Sequence, residues 1–391
     1  MGSTPPPMPP AVVHFGKFYF PEVGGIEAVT ASVAEGAERA GYAVSVVCFE
    51  GDHPVARRET VNRVAVVRAK QSLNVASQPL SLDYVRRALR AARNAAVVHL
   101  HAPNLLAALC SLWLHPHTRL LVHWHGDIRN KGLLGHVIRP LERRYLQRAD
   151  VIVVTSEVYG RTSEALVPFQ DKLRVVPIGV PDPAAIVEAD GHAATSRTDA
   201  WESQLNGRRV ILSVGRLVPF KGFDVLVNAA SRLADDVAVV IVGDGPERAY
   251  LQARIEATGL GDKVFLTGSL PGRQTGGTLH RLFQRADLYC LPSVDRSESF
   301  GVVLIEAMAY GTPCLVSDIP GSGVNWVSEA GVSGATFPVS DSAALARQAM
   351  RLLDDPRELR RLGEGARARY LALFTEDMAT KRMLDVYEAL R

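Results

Sequence analysis

The stretch that decides the fold reads Glu298-Ser299-Phe300-Gly301-Val302-Val303-Leu304-Ile305-Glu306-Ala307-Met308-Ala309-Tyr310-Gly311-Thr312-Pro313. Val302 to Tyr310 has helical composition. Gly311 stands where a helix closes, and Pro313, two residues on, forbids its continuation. β-branched and apolar runs lie on both sides, Leu288 to Leu291 before and Cys314 to Ser317 after, so the segment reads as a β-α-β unit. Glu298 precedes the helix and Glu306 lies on its body, up to about 12 Å further along the axis at 1.5 Å per residue. A solvated helix face does not explain an acid set among Ile305, Ala307 and Met308. Carboxylates accept hydrogen bonds from vicinal hydroxyls, and the helix N-terminus between them favours an anion. The pattern suits a ligand with hydroxyls at both ends and a diphosphate in the middle, as in a nucleoside diphosphate sugar.

Outward from that unit the same alternation recurs. Strand-like runs in the first half are Ala11 to Phe15, Ala43 to Phe49, Arg63 to Arg68, Ala96 to Leu100, Arg119 to Trp124, Val151 to Thr155 and Leu173 to Pro177. The second half has Arg209 to Val214, Val237 to Val242 and Val264 to Leu266 before the pair already named. Each half opens with a strand, a loop and a helix, which predicts two Rossmann-like α/β domains with a ligand at the carboxyl ends of their strands. The expected division is a tail over 1–10, a first domain over 11–182, a linker over 183–208, a second domain over 209–373 and a final helix over 374–391.

The 391 residues are 47% apolar and 22% charged, a composition that excludes disordered, collagen-like and disulfide-scaffold chains. A net charge of +3 gives no global reason to expect nucleic acid as a partner. The balance is uneven, with 21 basic against 15 acidic residues up to Asp182. Cys48, Cys110, Cys290 and Cys314 lie far apart in apolar runs and read as buried thiols in a reducing, cytoplasmic compartment. No apolar run approaches the length of a membrane span.

The run Glu298 to Glu306 resembles the Glu-x7-Glu element of the family 4 glycosyltransferases. Further elements follow in family order: Gly24-Gly25-Ile26-Glu27, His125-Gly126-Asp127, Gly215-Arg216 with Lys221-Gly222, Val242-Gly243-Asp244-Gly245-Pro246, and Gly311-Thr312-Pro313 before Ser317-Asp318. The resemblance implies the GT-B fold, two Rossmann-like domains facing a cleft with a C-terminal helix crossing back to the first. It also implies a metal-independent hexosyltransferase that retains anomeric configuration. Carried over by position, Glu306 holds the ribose hydroxyls and Glu298 the hydroxyls of the donor sugar. The backbone of Phe300, Gly301, Val302 and Val303 meets the diphosphate, Leu270 meets the base through its main chain, and His125 contacts the sugar near the reacting carbon. Arg216 and Lys221 bring positive charge to the diphosphate, and Gly24 and Gly25 open a surface for phosphate or acceptor.

For Glu27 a helix-start acid and a ligand role weigh about equally, and Asp127 is less clearly in the site than His125. Gly243-Asp244-Gly245 lacks the third glycine of a dinucleotide fingerprint and reads as a strand-to-helix turn. The chain has no Asp-x-Asp and no His/Cys cluster of zinc spacing, so no cofactor or metal is expected. Pro320-Gly321-Ser322-Gly323 departs from the family's adjacent glycines. The wider pattern looks most like enzymes that build bacterial surface polysaccharides, with GDP-mannose or a related GDP-sugar as donor ahead of a UDP-sugar. A saccharide or lipid-linked saccharide is then the expected acceptor. Leu134, Val137, Ile138, Leu141 and Tyr145 form an apolar stripe beside Arg139, Arg143, Arg144 and Arg148. It reads either as a core-packed helix or as a peripheral contact with anionic membrane. Two other functions fit the same fold, a sugar-nucleotide epimerase and a non-catalytic sugar-nucleotide-binding protein.

Overall fold

The computed structural model describes residues 10–22, 24–51, 56–75, 78–128, 135–184, 202–270 and 277–391. The tail up to residue 9, the bulk of the expected linker (185–201) and Leu134 lie outside the described residues. The chain divides into two compact units, Met1–Gly179 with Glu376–Arg391, and Val180–Thr375. Among the described residues no helix is long and apolar enough to cross a membrane.

The first unit is built on an eight-stranded sheet. Its strands are β1 (Ala11–Phe15), β2 (Ala43–Phe49), β3 (Arg57–Val61), β4 (Val64–Ala69), β7 (Val97–Ala102), β8 (Arg119–Trp124), β9 (Val151–Val154) and β10 (Leu173–Val175); β5 (Leu73–Val75) and β6 (Gln78–Leu80) form a separate hairpin. The order is β10-β9-β8-β7-β1-β2-β4-β3, parallel throughout except for β3, which runs antiparallel on the edge. Side chains alternate between the faces. Val13, Phe15, Val98, Leu100, Val122 and Trp124 enter one large apolar core. The helix Gly25–Arg39 packs against the helix Glu376–Ala389.

The second unit holds β11 (Arg209–Val214), β12 (Val237–Val242), β13 (Val264–Gly268), β14 (Leu288–Leu291), β15 (Cys314–Asp318) and β16 (Gly334–Pro338). All are parallel, in the order β13-β12-β11-β14-β15-β16. Strands buried on both faces read as continuous apolar runs, and every residue of Val237–Val242 and Leu288–Leu291 is buried. The strand order reverses between β11 and β14 here, and between β1 and β7 in the first unit. In a doubly wound sheet the loops leaving such a pair diverge and open a crevice at the carboxyl ends.

Of the apolar stripe on the helix Gly135–Arg148, Ile138 and Tyr145 are buried and Leu141 is half-buried. Tyr145 and Leu146 join the core and Leu141 packs against it, while Arg139, Arg143 and Arg144 stay exposed. All four cysteines are buried free thiols.

Candidate active site

Two loops leave the reversal point of the second unit, one from β11 carrying Gly215, Arg216 and Lys221, the other from β14 carrying Ser293 and Glu298. They meet in a short ion pair: Lys221 Nζ donates to Glu298 Oε2 at 2.6 Å, and Ser293 Oγ donates to the same oxygen at 2.9 Å. Both charged side chains are largely buried, at 14% and 9% exposure. Local backbone geometry fixes Lys221. Gly222, the residue after it, has φ of 63°, and a Cβ there would lie 2.2 Å from the Pro292 carbonyl oxygen. Only glycine fits that approach. A Cβ at Gly215 would lie 3.4 Å from Lys221 Cε, in ordinary contact with the lysine stem. Arg216 is exposed at the mouth of the same loop.

The helix after Glu298 begins with Gly301 in the left-handed conformation and runs Val302–Ala309, and Gly301 as N-cap offers its first turn no side chain. Phe300 is buried against Trp326 and Phe374. Glu306 is buried on this helix between apolar neighbours, and its charge contributes to raising the Tyr310 phenol, which burial pushes up to about 12. Glu298 and Glu306 thus occupy a loop and a helix of one β-α-β unit, with the helix N-terminus between them in sequence. Gly323 N donates to the Ser299 carbonyl at 2.9 Å, and Ser322 Oγ donates to the carbonyl of Glu298. The departing Pro320 to Gly323 loop therefore braces the backbone under the glutamate. Gly243 and Gly245 are packing glycines: a Cβ on either would strike the carbonyl of Gly215 or Leu217, at 1.9 and 2.4 Å. Leu270 follows β13, half-buried, at the end of a described stretch.

In the first unit, Gly24 and Gly25 begin the helix after β1, and His125 directly follows β8. Gly24 is covered, because the Glu27 carboxylate folds back over it and a Cβ there would lie 2.1 Å from Oε2. Burial raises the Glu27 carboxyl above its usual range. Among the described residues no atom lies within 4 Å of such a Cβ at Gly25. Asp127 pins its own loop, accepting from Trp124 Nε1 at 3.1 Å and Ser163 Oγ at 2.6 Å. His125 is buried, its imidazole pushed by burial down to about 3, and its Nε2 lies 3.0 Å from His101 Nδ1.

Near Asp127, burial pushes the Glu142 carboxyl up to about 7, with Asp127 adding to the rise and Arg139 opposing it. A folded-state value above the unfolded one means the fold binds this proton more tightly. That stability is full below the unfolded value of about 4.3 and is lost as pH rises through 7. Glu142→Gln is therefore expected to leave the unfolding free energy nearly unchanged near pH 4 and to raise it by about 3 kcal/mol at pH 8. Urea unfolding at the two pH values measures this, and equal shifts at both would contradict it.

Comparison with known proteins gives the family and the fold. The sequence model described as Glycosyltransferase Family 4 matches residues 23–182, and that described as Glycosyl transferases group 1 matches residues 196–369. O-antigen chain mannosyltransferase C of Escherichia coli is 31% identical over 383 residues, covering 97% of this chain and 98% of that protein. The chain belongs to the family 4 glycosyltransferases. D-rhamnosyltransferase WbpZ of Pseudomonas aeruginosa is 35% identical to this glycosyltransferase over 369 residues, 93% of one chain and 92% of the other. Among solved structures, sucrose-phosphate synthase from Thermosynechococcus elongatus has a TM-score of 0.75 at 21% identity, covering 97% of this chain and 99% of that one. Anabaena HepE in complex with UDP has a TM-score of 0.74 at 17% identity, covering 97% and 100%. At these identities the likeness shows the fold, which is GT-B.

Sequence reading of this glycosyltransferase missed Ser293 and Ser322, since lone serines in loops carry no signal. It also missed a cluster of imidazoles. No zinc-spaced motif exists, yet the sheet gathers His14, His99, His101, His123 and His125 on one face, and two sets of three have ring nitrogens within 4.8 Å of one another. The alternations His99-x-His101 and His123-x-His125 on neighbouring parallel strands were the available signal.

Proposed function

We propose that this glycosyltransferase moves a hexose from a nucleoside diphosphate sugar to a saccharide or lipid-linked saccharide, with retention and without a metal, in synthesis of a bacterial surface polysaccharide. The donor is GDP-mannose or a related GDP-sugar ahead of a UDP-sugar. The observation that carries the reading is the buried Lys221–Glu298 pair beside an uncapped helix N-terminus at the strand-order reversal. In the reaction the bond from sugar C1 to the diphosphate oxygen breaks and its electron pair stays on that oxygen. The acceptor hydroxyl bonds to C1 on the same face and gives its proton to the departing phosphate. Lys221, Arg216 and the free amides at Gly301, Val302 and Val303 stabilise the charge that builds on the leaving group. Glu298 orients the sugar, Glu306 the ribose, Leu270 the base through its main chain, and His125 lies by the sugar. Gly24 and Gly25 border the acceptor.

The GDP-sugar preference draws support from full-length relatives named as a mannosyltransferase and a D-rhamnosyltransferase. Cytoplasmic placement agrees with four free thiols. With Ile138 and Tyr145 buried, contact with anionic lipid through the described part of this helix would rest on the exposed Arg139, Arg143 and Arg144.

The test is turnover of GDP-mannose and UDP-glucose with a lipid-linked saccharide, in detergent and on anionic vesicles. Glu306→Ala and Arg216→Ala are each expected to lower donor kcat/KM by about tenfold to a hundredfold, the loss of a charge-assisted hydrogen bond. Unchanged kinetics in both would sink the site assignment. Epimerised sugar nucleotide formed without acceptor would favour an epimerase, and binding without turnover a non-catalytic protein.

A further inference from the structure

Five histidines lie on one face of the first unit's sheet, all buried: His14 on β1, His99 and His101 on β7, His123 on β8, and His125 just beyond it. With Tyr387 from the helix Glu376–Ala389 they join end to end. His125 Nε2 lies 3.0 Å from His101 Nδ1, and His101 Nε2 lies 3.0 Å from His14 Nδ1. The Tyr387 hydroxyl bridges His14 Nε2 at 3.4 Å and His99 Nδ1 at 2.6 Å. His99 Nε2 lies 3.2 Å from His123 Nδ1, and His123 Nε2, at the far end, meets no hydrogen-bonding atom among the described residues. His123 lines a small void with Val29, Ser32, Val33, Ile178 and Met383.

A count of hydrogens constrains this chain. Burial lowers all five imidazoles and raises the phenol, so each group is neutral and carries one mobile hydrogen. Each link needs one hydrogen, which leaves a single hydrogen for one of the two ends. Either all five histidines are Nδ1–H and His123 Nε2 is a bare lone pair, or all five are Nε2–H and His123 buries an unpaired N–H. Orphaned buried N–H groups are the rarer and costlier case.

We propose that His14, His99, His101, His123 and Tyr387 are positioning residues that lock His125 as the Nδ1–H tautomer, so that its outer nitrogen is a hydrogen-bond donor. Only the consequence for catalysis rests on the placement of His125 beside the sugar.

The test is nitrogen-15 NMR of the full chain labelled in histidine. Five histidines are expected as Nδ1–H tautomers, unchanged from about pH 6 to 8. Mixed tautomers, an Nε2–H set or charged rings would overturn the proposal. So would stoichiometric zinc retained through purification and lost in His101→Ala, because three ring nitrogens would then be metal ligands. Tyr387→Phe divides the chain. Beyond the cut, either tautomer of the His99–His123 pair buries an N–H without a partner, so these two are expected to become tautomer mixtures, while His14, His101 and His125 keep Nδ1–H. Retention of the Nδ1–H form at His99 and His123 in a folded Tyr387→Phe protein, or its loss at His125, would overturn the chain. Should Tyr387→Phe fail to fold, the wild-type spectrum alone still decides.

Discussion

Lys221→Ala is expected to lower kcat/KM for the sugar-nucleotide donor by about a hundredfold to a thousandfold, the range for losing a preorganised charge from a developing anion. Two losses combine. The positive charge proposed to meet the departing diphosphate is removed, and Glu298, buried with Lys221 Nζ 2.6 Å away, loses its counter-ion. A buried charge stripped of its partner costs more than the pair contributed. The double variant Lys221→Met with Glu298→Gln separates the two effects, since it should recover stability and not activity. Steady-state kinetics alongside circular dichroism measures both. A fall in kcat/KM of less than about threefold, with the fold intact, would remove Lys221 from the leaving-group role.

Gly222→Ala is expected to destabilise the second unit by about 3 kcal/mol or more. The methyl group would stand 2.2 Å from a backbone oxygen that belongs to the loop leading to Ser293 and Glu298, and the φ of 63° already opposes a side chain. Relief requires the two loops to separate, so the Lys221–Glu298 contact should lengthen and activity should fall with stability. Gly207→Ala is the matched control: its φ is 73°, yet no atom lies within 4 Å of the added Cβ. It should cost only about 1 kcal/mol, the conformational part alone. Urea midpoints for the two variants measure the difference. Equal midpoints would mean that the close approach at Pro292 carries no weight.

What the sequence disclosed followed from the strength of each local signal. Apolar runs buried on both faces, such as Val237–Val242, were legible because nothing else in a chain reads that way. The edge strand Arg57–Val61 was not legible, because it is held by charge pairing: Arg68 on β4, buried, reaches Glu59 at 2.5 Å, and Arg57 reaches Glu50 at 2.9 Å. Gly334–Pro338 also escaped, since it opens on a glycine and closes on a proline and pairs on one side only. At the site, Glu298, Glu306 and Lys221 stood out as charges beside glycines or in apolar surroundings. Their direct pairing did not, because it depends on two loops from non-consecutive strands meeting at the reversal of strand order. The coverage of Gly24 by Glu27 arises from a side-chain rotamer, for which a sequence holds no sign.

The membrane-facing reading of the basic helix turned on the same limit. Periodicity alone does not separate a core-packed stripe from a surface one; the burial of Ile138 and Tyr145 is a fact of tertiary packing.

The central claim is that the reversal point of the second unit holds the donor's nucleoside diphosphate. Titration calorimetry with GDP and with UDP, on the wild type, Lys221→Ala and Glu306→Ala, tests it most directly. One nucleotide is expected to bind, and each substitution to raise its Kd at least about tenfold, the loss of one charge-assisted contact. The same Kd in all three proteins would contradict it, since the nucleotide would then bind elsewhere.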